Sequence, residues 1–138
     1  MGCLTGAAGA PPASIAVGTR RISGGDIDSY ASLTGDYNPI HIDAHFAAQT
    51  RFGHPIAHGT LVLAPIWEAL DALLGGRALE GARAAAKFLR PVKVNSEVRI
   101  EGRLAESSSR EVSYEFTVRN EDGELQVNVL VVLPWGIT

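Results

Sequence analysis

A chain of 138 residues, 46% apolar and 20% charged, has the size and balance of one globular domain. Its net charge of −3 argues against a broad nucleic-acid surface, and its single cysteine, Cys3, rules out an internal disulfide or a cysteine-based metal cluster. No apolar run reaches the roughly 18 residues of a membrane span, and a lone thiol suits a reducing, cytoplasmic setting.

The opening MGCLTGAAGAPPAS lacks the basic and apolar regions of a secretory leader. Gly6 stands where N-myristoylation of Gly2 prefers Ser or Thr. Residues 1–13 read as a flexible tail rich in Gly, Ala and Pro, and residues 14–138 as one domain. A strand is expected from Ile15 to Ser23, interrupted at Gly18. Ile27, Tyr30 and Ala31 fall at helical spacing, which places a short helix near Asp26–Thr34, stopped by Gly35.

The stretch TGDYNPIHID, Thr34 to Asp43, then reads as a loop, because Asn38-Pro39 is a turn signal. Phe46 to Phe52 can make a further helical turn, ended by Gly53 and Pro55. From Gly59 to Leu74 the chain is apolar nearly all round, with only Glu68 and Asp71 charged, which predicts a buried helix closed by Gly75-Gly76. At 1.5 Å per residue it would be about 24 Å long and cross a small domain, with Pro65 a potential kink.

The remainder alternates with period two. ARAAAKFLRPV reads as a strand, although its alanines suit a helix equally. Val98, Ile100 and Leu104 alternate with charged residues. So do Val112, Tyr114, Phe116 and Val118 with polar ones, and Leu125, Val127, Val129, Val131 and Leu133 share one face. Asp122-Gly123 marks a hairpin turn. An antiparallel sheet wrapped around one central helix, an α+β architecture, follows.

Asp36 and His41 are candidate proton-transfer groups, since an aspartate is ionised at neutral pH and a histidine titrates close to it. Alone, Asp36 could equally be a turn acid. Asn38 can bond the loop backbone, and Pro39 stiffens the same turn. All four histidines fall between positions 41 and 58, which raises a metal site. Both HxxxH pairs would need a helix to align their rings, and Pro55 breaks the second. His45 reads instead as a solvated helix residue and His58 as a hydrogen-bonding residue where the long helix begins. Trp67, Leu70 and Leu74 read as core. Arg51, Arg77, Arg83, Lys87, Arg90 and Lys93 read as solvated surface, with phosphate contacts the sharper alternative.

The blocks ISGGDIDSYASLTGDYNPIHID and FAAQTRFGHPIAHGTL, followed by KFLRPV and NEDGE, resemble the MaoC-like dehydratase family, whose best-known members are (R)-specific enoyl-CoA hydratases. The resemblance runs from about Ile15 to Pro134. It implies the hotdog fold, a curved antiparallel sheet around a long central helix, and a homodimer. It implies a hydro-lyase interconverting 2-enoyl and (R)-3-hydroxyacyl thioesters, with Asp36 and His41 as the catalytic pair, the Gly59 N–H as oxyanion donor, and Asn38 and Pro39 orienting the loop. The substrate would be an acyl thioester of coenzyme A or of an acyl carrier protein, with no cofactor, metal, nucleic acid or membrane partner. A carrier-protein dehydratase of a biosynthetic pathway and a catalytically silent acyl-binding subunit remain the rival readings. Some relatives place a serine along the long helix; LAPIWEAL here has none. Two further departures are Val94-Asn95-Ser96, where relatives often have Gly-Asp, and Asn128, where many have glycine.

Overall fold

The computed structural model describes residues 9–75 and 79–136. Cys3, Gly76 and Arg77 lie outside them. Five strands, β1 (Ser14–Arg21), β2 (Arg83–Phe88), β3 (Glu97–Ser107), β4 (Glu111–Arg119) and β5 (Leu125–Pro134), form one sheet in the order β1-β3-β4-β5-β2. Every neighbouring pair is antiparallel. The helices are α1 (Gly24–Thr34), α2 (Pro39–Ile42), α3 (Ala44–Ala48) and α4 (Gly59–Leu74). None is long and apolar enough to cross a membrane.

The apolar face of the sheet and α4 share one core. Val62, Leu63, Ile66 and Leu70 of α4 are buried together with Val98, Ile100, Tyr114, Phe116, Val129 and Leu133 of the strands. The period-two expectation is met by the apolar residues Val112, Tyr114, Phe116 and Val118 of β4 and Val127, Val129, Val131 and Leu133 of β5, all buried, while Leu125 is half-buried and Ser113 and Gln126, on the other face, are buried as well. Gly18 disrupts β1 as expected: its φ of 101° sits at a register shift between Ala16 and Gly18. Pro65 lies inside α4 and is buried.

Two local findings go beyond the periodic pattern. Ser23 and Asp26 form a reciprocal capping box that starts α1 two residues earlier than its apolar spacing indicates, and Gly35 closes it in the left-handed region. Asn95 has φ 64°, the one non-glycine residue with positive φ among those described. Asparagine tolerates that conformation, so the Val94-Asn95-Ser96 departure preserves a backbone turn.

The expected tail falls mostly on residues 1–8, outside the described residues. Residues 9–13 run along the body: the carbonyls of Gly9, Pro12 and Ala13 accept bonds from Trp135 Nε1, the Tyr114 hydroxyl and the Leu104 N–H. Burial pushes the Tyr114 phenol from its ordinary value of 10.0 up to about 12. A proton held more tightly in the folded state gives stability that is complete below pH 10 and lost as pH climbs through 12. Denaturant midpoints measured from pH 9 to 12 are expected to fall across that window, and Tyr114→Phe should flatten the fall.

Candidate active site

The sequence read as a turn folds as two linked turns. Asp36 Oδ1 accepts from the Asn38 N–H at 3.2 Å, and Asn38 Oδ1 accepts from the Ile40 N–H at 3.1 Å. Asn38 thereby caps α2, with Pro39 at its first position, where a missing N–H costs nothing. The expected plain loop is thus a loop ending in a helical turn, and that turn carries His41.

Three bonds tie this motif to the segment leading into α4. His41 Nδ1 donates to the Ile56 carbonyl at 2.8 Å, and the Ile56 N–H donates to the Ile40 carbonyl at 3.1 Å. His58 Nε2 donates to the backbone carbonyl of Asp36 at 3.0 Å. A carbonyl only accepts, so the proton of His41 sits on Nδ1 and Nε2 is left as a lone pair. Asp36 is exposed, His41 is half-buried and His58 is buried.

Asp36, His41, His58 and Gly59 line one cleft of about 550 Å³, together with Phe88, Val127 and two arginines, Arg51 and Arg90. Ligand atoms of Asp36, His41 and His58 lie within 4.8 Å of one another. The histidine rings stack, with centroids 3.9 Å apart and planes 26° from parallel. Stacked rings direct their lone pairs along nearly parallel planes rather than toward one point. The set therefore does not form the converging shell a zinc ion requires. His45 and His54 are exposed and take no part.

At the start of α4 the Leu61 and Val62 N–H groups return to the His58 carbonyl. The Gly59 N–H, with the positive end of the helix behind it, finds no partner among the described residues. A Cβ at position 59 would lie 2.8 Å from the Phe88 ring, so only glycine lets this aromatic rest on the helix end.

Sequence reasoning missed two contributors. His58 was expected to bond at the start of the helix, yet it makes no cap bond; its ring reaches back 22 residues to Asp36. Phe88, read only as part of a strand, is 52% exposed and forms a wall of the cleft. No periodicity signals either role, because both depend on a contact between distant segments.

Residues 10–124 match the MaoC like domain. The chain is 37% identical over 87 residues to the 3-hydroxybutyryl-CoA dehydratase of Methylorubrum extorquens, covering 63% of this chain and 55% of that protein. It is 34% identical over 83 residues to the (R)-specific enoyl-CoA hydratase of Aeromonas caviae, covering 60% and 62%. In both cases it spans less than two thirds of the relative's length. Among solved structures, the unliganded R-hydratase PhaJ1 of Pseudomonas aeruginosa superposes with a TM-score of 0.73 at 31% identity, covering 83% of this chain and 75% of that one. With this likeness the sheet around α4 is the hotdog fold. A domain match across most of the chain and a fold shared at that identity make the protein a member of the MaoC-like domain family.

Proposed function

We propose that this chain is a hydro-lyase that adds water to 2-enoyl thioesters and, in reverse, dehydrates (R)-3-hydroxyacyl thioesters. The single observation that carries this reading is the convergence of Asp36 and His41 on a cleft that also holds the free Gly59 N–H. In the forward direction the water oxygen bonds to Cβ while the Asp36–His41 pair takes one of its protons. The double-bond electrons move toward the thioester, and Cα then receives one proton, so that one H₂O is added in total. His41 Nε2, left basic by the Nδ1 bond to Ile56, suits the proton-transfer role. The Gly59 N–H would meet the negative charge on the thioester oxygen, a donor typically worth about 10²–10³ in rate. Asn38 and Pro39 hold the loop in register for it. Water addition transfers no electrons, so the reading requires no redox cofactor.

A homodimer in the cytoplasm belongs to the same reading. The uncovered edge of β2, with Phe88 and Leu89 exposed beside the cleft, supports a second copy there.

The test is loss of enoyl absorbance when crotonyl-CoA and longer enoyl thioesters are offered. Folded protein inactive on every coenzyme A and carrier-protein thioester would count against it. Product carrying free thiol would indicate hydrolysis instead.

Arg51 lies over the Phe52 ring at 4.9 Å, and Arg90 approaches Glu124 at 3.7 Å, so the apolar cleft is flanked by two guanidinium groups. They suit the phosphates of a coenzyme A or phosphopantetheine arm. Arg51→Ala and Arg90→Ala are each expected to raise KM for crotonyl-CoA roughly 3–10-fold with kcat little changed, more at low salt. An N-acetylcysteamine thioester, which has no phosphate, should show no such change.

A further inference from the structure

We propose that His58 is a positioning residue that holds both Asp36 and His41 in place from inside the core. The proposal rests on reading those two residues as the reacting pair, and His58 itself is given no proton to move.

His58 is 3% exposed, and its ring makes a different contact on each side. Its Nε2–H donates to the Asp36 carbonyl at 3.0 Å, which fixes the backbone carrying the carboxylate. One face stacks on His41 at 3.9 Å between centroids. Tyr30 meets the ring edge-on at 5.0 Å and 61°, and the Tyr30 hydroxyl bonds Thr60 Oγ1 in the first turn of α4. The imidazole thus connects α1, the start of α4, the Asp36 backbone and the His41 ring.

The remaining nitrogen argues that the ring is kept for this purpose. His58 Nδ1 is buried and has no hydrogen-bond partner among the described residues. An unpaired buried polar atom is a cost, and a phenyl ring would fill the same space without it. What the phenyl ring lacks is the N–H to Asp36. A carboxylate displaced by even an ångström from its reacting water loses on the order of 10² in rate.

Two variants separate the contributions. His58→Phe keeps the stack and removes the donor. His58→Gln keeps an N–H at the Nε2 position and removes the stack. Relative to the unmutated protein, His58→Phe should lower kcat on crotonyl-CoA by about tenfold to 10²-fold with KM changed less than about twofold. His58→Gln should recover part of that loss, and melting temperatures are measured alongside. A His58→Phe enzyme with unchanged kcat would overturn the proposal, as would losses in the two variants that simply follow their melting temperatures.

A readout without substrate keeps this distinct from the hydratase reading. Imidazole ¹⁵N spectra of the unmutated protein should show His58 in its Nε2–H form. In His58→Phe the Asp36 and Tyr37 amide signals should shift or broaden, while in His58→Gln they stay closer to their original positions. Those spectra with no turnover on any thioester would strike the hydratase reading alone. His58 in its Nδ1–H form would strike this proposal alone, even in a fully active enzyme.

Discussion

Asp36→Asn is expected to lower hydration of crotonyl-CoA by at least about 10², and by as much as 10⁴ if the carboxylate takes the water's proton directly. The substitution isolates the charge. An amide oxygen still accepts from the Asn38 N–H, so the turn that presents position 36 survives, and the His58 bond goes to the backbone and is untouched. His41→Asn makes the matching test on the other side. The asparagine amide can still donate to the Ile56 carbonyl in place of Nδ1, but nothing replaces Nε2. A comparable loss is expected, with the melting temperature little changed in either variant. If both groups act on one water, the double variant loses about as much as the worse single variant, rather than the product of the two. Progress curves at saturating substrate, with circular dichroism as the folding control, decide it. An Asp36→Asn protein retaining more than a tenth of the activity would remove Asp36 from the chemistry.

The second large effect is on stability and involves residues that do not line the cleft. Gly102 in β3 pairs directly with Phe116 in β4, and the Phe116 ring lies across it. A Cβ at position 102 would stand 2.7 Å from Phe116 Cδ1 and closer still to Cε1. Phe116 is fully buried beside Tyr114, so its ring has no solvent to swing into. Gly102→Ala is therefore expected to destabilise by on the order of 2–3 kcal/mol, which lowers Tm by roughly 6–12 °C. Adding Phe116→Leu to Gly102→Ala should cost less than the sum of the two changes, because the smaller side chain gives the methyl room. Urea unfolding of the four proteins in that cycle checks both statements. A Gly102→Ala protein within about 0.5 kcal/mol of the parent, the range of an ordinary surface change, would show that the strand and ring separate freely. The contrast with Gly59 is instructive. There the ring that would meet a new Cβ belongs to Phe88, which is 52% exposed and free to move, so a side chain at 59 would disturb the cleft more than the fold.

Patterns that repeat along the chain were legible without coordinates. The apolar run Gly59–Leu74 was legible as a helix that buries a face in the core, although Glu68, Asp71 and Leu73 keep its other side exposed. The alternation in residues 112–118 and 125–133 marked strands with one apolar face, since a one-residue slip would turn Glu115 and Asn128 toward the core. The motif from Asp36 to His41 was legible as a turn presenting two ionisable side chains, because Gly-Asp and Asn-Pro fix it by local hydrogen bonds that need no distant partner. Local geometry, however, cannot say what such a turn faces. That Asp36 and His41 open onto the end of α4, that His58 turns back to hold Asp36, and that Phe88 rests on Gly59 depend on segments 15 to 29 positions apart meeting in space. Only packing of the sheet around α4 creates those contacts. Sequence thus determined the elements and the reactive residue types, while tertiary structure decided which of them share a cleft, because hydrogen bonds and stacking act over a few ångströms of space and not over positions along a chain.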